Sequence, residues 1–269
     1  MPFVFILIRD SIILDIRTFF IKEWSLKKKI IFFFKKYSLL IKHSFKKFKL
    51  GEDFVIFDKK KIFYNSRYGL AGYQRTICSH GDMLRNYVQI DNPENIFDVG
   101  ANVGYFSLLC RERYPNSEIY SFEPIEKTFE CLKRNVINDR KIYPFKLGLM
   151  DFNGISKMQF DEQESATASV SESGEHQVEV IKLDTFCEKH DIQKIDILKI
   201  DTKTFENFVL IGAQNILKNV RYIILEVTIE NNKNYTITSL FKLLSGEGFN
   251  FQMLGLRNFS NKSEGEAYA

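Results

Sequence analysis

Residues 95–104 read Asn95-Ile96-Phe97-Asp98-Val99-Gly100-Ala101-Asn102-Val103-Gly104, an apolar run of strand length that ends in a glycine-containing turn. Beyond it, residues 103–114 carry apolar side chains at helical spacing, so the stretch predicts strand, tight turn and helix in succession. Gly100 and Gly104 let the backbone turn sharply and approach a ligand, and the amides that open the helix carry partial positive charge. A nucleotide-like ligand is expected at this strand end.

The alternation continues outward. Glu118–Phe122 is followed by a periodic segment at 126–138, Ile195–Ile200 by 205–217, and 221–227 by 238–244. Such alternation implies right-handed βαβ units on a mostly parallel sheet covered by helices on both faces, an α/β, Rossmann-like class. Residues 141–150, 155–160 and 177–183 depart from it as strand-like segments with no helix between them, and read as a β-rich insertion. In open sheets of this kind ligands sit beyond the carboxyl ends of the strands, where the strand order reverses.

The second strand ends in Ser121-Phe122-Glu123-Pro124, with Glu123 lying 23 residues after Gly100. That spacing lets a carboxylate accept hydrogen bonds from ribose hydroxyls. A dinucleotide fingerprint places a second glycine where Asn102 stands, so that a pyrophosphate can lie against the backbone. Asp98, two positions before Gly100, repels a pyrophosphate and attracts a cation. The pattern therefore points to S-adenosylmethionine, which carries an ammonium and a sulfonium, rather than to a nicotinamide cofactor.

With 269 residues, 45% hydrophobic and 14% aromatic, the chain has the material for one large core plus an extension. The net charge of +4 divides unevenly: residues 1–50 hold 12 Lys/Arg against 3 Asp/Glu, and the rest of the chain is acidic on balance. Nucleic-acid binding through the overall field of the body is thereby disfavoured. Four cysteines without a C-x-x-C pair imply neither a zinc site nor a disulfide framework, and fit a reducing compartment.

The organisation expected is a basic helical extension over 1–50, a lid or support segment over 51–94 and a Rossmann-like domain over 95–269. Arg9, Asp10, Asp15 and Arg17 interrupt the apolar start, and no run of about 20 apolar residues suits a spanning helix. Over residues 26–50, Ile30, Phe33, Phe34, Tyr37, Leu40, Ile41, Phe45 and Phe48 recur at helical spacing among many lysines. Two places suit that apolar stripe: the catalytic domain, with the lysines in water, or an anionic membrane surface; an RNA-binding arm is a third, weaker reading. The 51–94 segment reads as a small hairpin (Phe54, Ile56; Ile62, Tyr64), a loop punctuated by Gly69 and Gly72, and a helix near 83–88.

DVGANVGYFSLL, SFEP, KLGLMDFNG, SATASV, VIKLDTF, IDILKID and IILEV occur in this order between Asn95 and Val227, and in them the chain resembles the FkbM family of S-adenosylmethionine-dependent methyltransferases. The resemblance implies a class I methyltransferase fold and O-methylation of a hydroxyl, often on a sugar or a polyketide-type product. It implies Asp98, Gly100, Asn102 and Gly104 around the methionine part of the cofactor, Glu123 at the ribose, and residues 147–151, with Asp151, near the adenine. Each has a plainer role open to it: Asp98 as a helix cap, Asn102 in a turn, Asp151 in a hairpin turn. After Asp201 the family usually continues Val-Glu-Gly, whereas this chain has Thr202-Lys203-Thr204, which reverses a charge and places a β-branched residue where glycine stands.

Methyl transfer to a hydroxyl needs the acceptor oxygen held near attack distance and its proton removed. Asp201 and Glu226, at the ends of the two strands after the insertion, are the catalytic candidates, with His80 and His176 as further candidate bases. No metal is required. The expected function is an O-methyltransferase acting on a saccharide or similar hydroxylated acceptor in the cytoplasm, peripherally on the inner face of a membrane. The alternatives are a catalytically impaired, cofactor-binding, membrane-associated module and, less favoured, a nucleic-acid methyltransferase, against which the lack of a proline motif after Asp201 counts.

Overall fold

The computed structural model describes residues 14–45, 49, 52–64, 70–161, 164–170, 176–228, 237–251, 255–259 and 264–268. Residues 1–13, Lys46, Lys47, Phe48, Leu50 and Gly69 lie outside them, as do the side chains of the SATASV stretch. A helical segment at 14–19 precedes α1 (Leu26–Phe45), the hairpin of β1 (Phe54–Phe57) and β2 (Lys60–Phe63), and α2 (Ala71–Asn86). The hairpin falls where it was expected. α2 begins at Ala71, well before residues 83–88, because Gln74 and His80 are buried among its apolar positions and hide the period.

The regular part runs β3 (Asn95–Val99), α3 (Tyr105–Arg113), β4 (Glu118–Phe122), α4 (Glu126–Val136) and β5 (Ile142–Phe145). Then come β6 (Gly148–Leu149), β7 (Gly154–Asp161), β8 (Glu164–Val170), β9 (His176–Ile181) and α5 (Leu183–Lys189). The chain closes with β10 (Ile195–Ile200), α6 (Glu206–Ile211), β11 (Val220–Thr228), α7 (Ile237–Gly246), β12 (Gly255–Phe259) and β13 (Glu264–Tyr268). The main sheet has the order β12-β13-β11-β10-β3-β4-β5. Its five strands from β11 to β5 are parallel, and β13 runs antiparallel to β11. This is the α/β, Rossmann-like, class I methyltransferase architecture that the sequence implied. The insertion forms a second sheet, β6-β9-β7-β8. β8 was not expected, because small and hydroxylated residues give it no apolar alternation.

The chain steps from β3 outward to β5 and returns to β10 on the other side of β3, so the order reverses between β3 and β10. Every residue of β10 is buried, as a strand covered on both faces requires. One apolar cluster joins Trp24, Phe32, Phe57 and Leu84 to Ile96, Ile119 and Ile197, so the N-terminal elements share a core with one face of the sheet. The other face packs under α5, α6 and α7 through Phe186, Leu210 and Leu240.

α1 reverses the arrangement expected for a helix lying on the domain. It buries Phe32, Lys36 and Leu39 and leaves Leu26, Ile30, Phe34, Ile41 and Phe45 exposed. Its lysines turn inward to acids: Lys28 reaches Glu112 at 2.9 Å and Asp58 at 3.0 Å, and Lys42 reaches Asp53 at 2.5 Å. Lys36, 1% exposed, lies 2.6 Å from Asp15, which also accepts from Gln74 Nε2 at 2.8 Å and from the Tyr37 hydroxyl. Among the described residues no helix is long and apolar enough to cross a membrane. Asp15→Ala strands the Lys36 charge and should cost about 3 to 5 kcal/mol in urea unfolding, whereas the double change Asp15→Asn/Lys36→Met, which removes both charges and keeps the volume, should cost far less.

Candidate functional site

The turn after β3 is built for close approach. Gly100 has φ +72°, and a β-carbon there would stand 2.0 Å from the carbonyl oxygen of Asp201, so only glycine lets the two strand ends meet. Asn102, at φ +52°, tolerates the left-handed region and donates its backbone N–H to Glu123 Oε2 at 3.0 Å. Glu123 Oε1 accepts from the Ile125 N–H at 3.0 Å. Burial pushes the Glu123 carboxyl up to about 7, against the pull of those two amides and Lys199.

A cleft of about 280 Å³ opens at the carboxyl ends of β3, β4, β10 and β11. α2 walls one side with Gly72, Arg75, Thr76 and His80, and the insertion walls another with Ser156, Met158, Val178 and Val180. Near Glu123 the lining is apolar, with Ile125, Leu147, Leu149 and Met150. Around Asp201 it is charged.

That charged part is one network. Lys199 Nζ lies 3.2 Å from Asp98 and 3.7 Å from Asp201, and donates to the Gly100 carbonyl at 3.1 Å. Burial alone would lower the Lys199 ammonium, but Asp98, Asp201 and Glu226 outweigh it and hold the group above its ordinary value. Lys203 stands 3.0 Å from Asp201 and 3.9 Å from Glu226. Glu226 Oε1 is 3.0 Å from His80 Nε2, across the cleft mouth between β11 and α2. Burial pushes Glu226 up, yet His80, Lys203 and Lys199 together bring it down to about 2. His80 Nδ1 is buried and has no hydrogen-bond partner among the described residues.

Of the residues singled out in the sequence, Gly100, Asn102, Glu123, Asp201, Glu226 and His80 line the cleft together. Asp98, Gly104 and Asp151 do not. Asp98 is fully buried beneath the floor, where it accepts from the Ser107 hydroxyl at 2.6 Å and faces Lys199. Gly104 admits the packing of α3 on α4, since a β-carbon there would meet Leu132 Cδ1 at 2.6 Å. Asp151 sits half-buried just past the lining residue Met150, and His176 opens β9 away from the cleft. Lys199 and Arg75 were missed. A lysine within a strand otherwise apolar on both faces was the available signal for Lys199; Arg75 had none.

Residues 98–251, more than half of the chain, match the methyltransferase FkbM domain. The chain belongs to the FkbM methyltransferase family. It is 27% identical over 158 residues to the hexuronic acid methyltransferase AglP of Haloferax volcanii, an alignment covering 57% of this chain and 64% of AglP. It is 23% identical over 210 residues to the 31-O-demethyl-FK506 methyltransferase FkbM of Streptomyces tacrolimicus, covering 65% of this chain and 80% of that protein. S-adenosylmethionine is accordingly the cofactor of this FkbM methyltransferase, and a cleft whose apolar patch adjoins a fixed carboxylate fits a nucleoside.

In this FkbM protein the loop after β10 is strained as its substitutions imply: Lys203 has φ +52° and Thr204 φ +85°. Buried Glu206 holds the loop, its Oε1 accepting from the Thr202 and Thr204 amides at 3.1 and 3.2 Å and from the Thr202 hydroxyl at 3.2 Å. Thr204→Gly relieves a strain of about 1 to 3 kcal/mol and loses part of it to unfolded-state entropy, so it should stabilise by about 1 kcal/mol in thermal melts. Gly100→Ala should do the opposite, by about 1 to 3 kcal/mol.

Proposed function

We propose that this protein transfers a methyl group from S-adenosylmethionine to a hydroxyl of a saccharide or similar small acceptor. The observation that carries the reading is the cleft that holds Glu123 and the Gly100 turn at one end and the His80–Glu226 pair at the other. The names of the two relatives, which specify a hexuronic acid and an O-demethyl substrate, support the acceptor class.

Gly100, Asn102 and Glu123 are the residues that would hold the cofactor, with Glu123 accepting from the ribose hydroxyls. When bound, S-adenosylmethionine supplies an electrophilic methyl group on a positively charged sulfur. The chain's own task is to seat the acceptor oxygen and take its proton. Glu226, whose Oε1 lies 3.0 Å from Nε2, favours the proton of His80 on that nitrogen and leaves Nδ1, buried and without a hydrogen-bond partner among the described residues, as the proton acceptor. His80 is thus the general base and Glu226 holds its ring, as a carboxylate does for a catalytic imidazole. Phe106 packs edge-on against that ring at 5.4 Å and limits its rotation. Asp201, fixed by Lys203 and Lys199, orients the acceptor hydroxyl.

A second reading, a cofactor-binding module without turnover, draws on the Lys203 ammonium that partly neutralises Asp201 and on the strain at Thr204. A methyl-transfer assay with labelled S-adenosylmethionine and a panel of methyl glycosides and methyl glycosiduronic acids separates the two. Transfer is expected, and binding by calorimetry with no transfer to any of them would favour the module. His80→Asn should lower kcat by about 10² to 10⁴ while leaving cofactor affinity intact.

Glu123 gives a pH signature. Its raised value leaves the carboxyl protonated below about 7, and bonds from the ribose favour the ionised form, so binding releases a proton. Cofactor affinity should therefore strengthen with rising pH, by at most tenfold per unit, and level off above about pH 7. Glu123→Gln should flatten that dependence in calorimetry; an unchanged slope would remove Glu123 from the ribose.

A further inference from the structure

At 3.6 residues per turn, Leu26, Ile30, Phe34, Tyr37, Ile41 and Phe45 fall within a sector of about 100° on α1. That sector points away from the core, and its five aliphatic and phenylalanine side chains are 57% to 89% exposed. An amphipathic helix ordinarily buries such a stripe against its own domain. Here the opposite face is the buried one, fixed by Phe32 and Leu39 and by the Lys28, Lys36 and Lys42 ion pairs. The exposed surface continues beyond the helix: Phe19, half exposed, stacks at 4.9 Å on Phe33, which borders the stripe, and Phe20 beside it is 77% exposed.

The charge around this ridge decides what covers it. Lys27 is exposed at one border of the sector, Lys22 is exposed just before the helix, and Lys29 is half-buried at the other border. The whole segment 1–50 carries 12 Lys/Arg against 3 Asp/Glu. Of those cations, Arg17, Lys28, Lys36, Lys42 and Lys49 are engaged by acids, so the attraction rests on Lys22, Lys27 and Lys29 at the borders of the ridge. Two copies meeting ridge to ridge would bring two such basic segments together, whereas an anionic surface is attracted by each of them. We propose that the outward stripe of α1 seats the protein on an anionic lipid bilayer, with Phe34, Ile41 and Phe45 entering the acyl boundary and the flanking lysines meeting the headgroups.

The same body carries the cleft. Gln74 of α2 donates to Asp15 and to the Thr18 hydroxyl, each at 2.8 Å, and Arg17 donates to the Cys78 carbonyl at 2.7 Å. Two residues further along α2 from Cys78, His80 faces the reaction site. Gln74 and Cys78 stand on the face of α2 opposite to Thr76 and His80, so this one helix joins the ridge-bearing elements to the cleft wall.

The test is flotation of the full chain with phosphatidylglycerol-containing vesicles and with pure phosphatidylcholine vesicles. Binding to the anionic vesicles alone, falling as salt is raised, is expected. The double variant Phe34→Glu/Ile41→Glu, with both sites exposed, should keep its circular dichroism and cofactor binding and lose at least tenfold in vesicle affinity. No flotation at low salt, or a variant that floats like the parent, would overturn the proposal. So would light scattering in which the parent is dimeric, the variant monomeric and neither binds vesicles, which would assign the ridge to a second copy. None of these outcomes depends on the acceptor, so failure here leaves the methyl-transfer reading untouched.

Discussion

A single ammonium shut inside the sheet holds the floor of the cleft together. Lys199 is 5% exposed and Asp98 fully buried, so both charges have left water at a cost that only their mutual attraction and further bonds can offset. Those bonds are the ones that shape the site: the Gly100 carbonyl, Asp201 and, behind Asp98, the hydroxyls of Ser107 and Ser121. The turn after β3 and the turn after β10 are thereby fixed to each other, in register with the backbone contact that excludes a side chain at Gly100. A cofactor entering this cleft meets a surface already arranged, with little reorganisation left to make.

The His80 side of the cleft is arranged by a different means. Its titratable wall comes from α2, which precedes the regular sheet in sequence, and reaches the sheet through the contact of His80 with Glu226. The N-terminal elements are therefore part of the site's construction, as their shared apolar cluster with β3, β4 and β10 also indicates. Strain is concentrated at the one loop between these two walls, at Lys203 and Thr204, where a buried carboxylate, Glu206, satisfies the backbone. Strained backbone held by surrounding bonds is commonly found where a side chain must be presented at a fixed angle.

What the sequence made legible was local in character. Period-two and period-3.6 patterns located β3 to β5, β7, β9 to β11 and the helices α3, α4, α6 and α7 but not β8, α5, β12 or β13, and the spacing from Gly100 to Glu123 put both on the cleft. What it concealed depended on three-dimensional partners. Asp98 reads as a ligand because it sits at a strand end, yet a lysine on the neighbouring strand takes it as a counter-ion below the floor. α2 was shortened because its polar positions face a cleft and a buried acid rather than water. The facing of α1 was undecidable from its wheel, since lysines that look like a solvated face are drawn inward by Asp15, Asp53 and Asp58 of the elements flanking it in sequence and by Glu112 of the remote α3.

The insertion sheet has a consequence of its own. Because β7 and β9 supply Met158, Val178 and Val180 to the rim, one wall of the cleft belongs to a sheet that, among the described residues, shares no strand ladder with the main one. Its attachment is mainly side-chain packing, including Met150 and Phe205, which is cheaper to separate than a continuous ladder. Packing of this kind lets the insertion sheet shift against the main sheet at lower cost than a shared ladder would, so the rim it forms is the more deformable wall of the cleft.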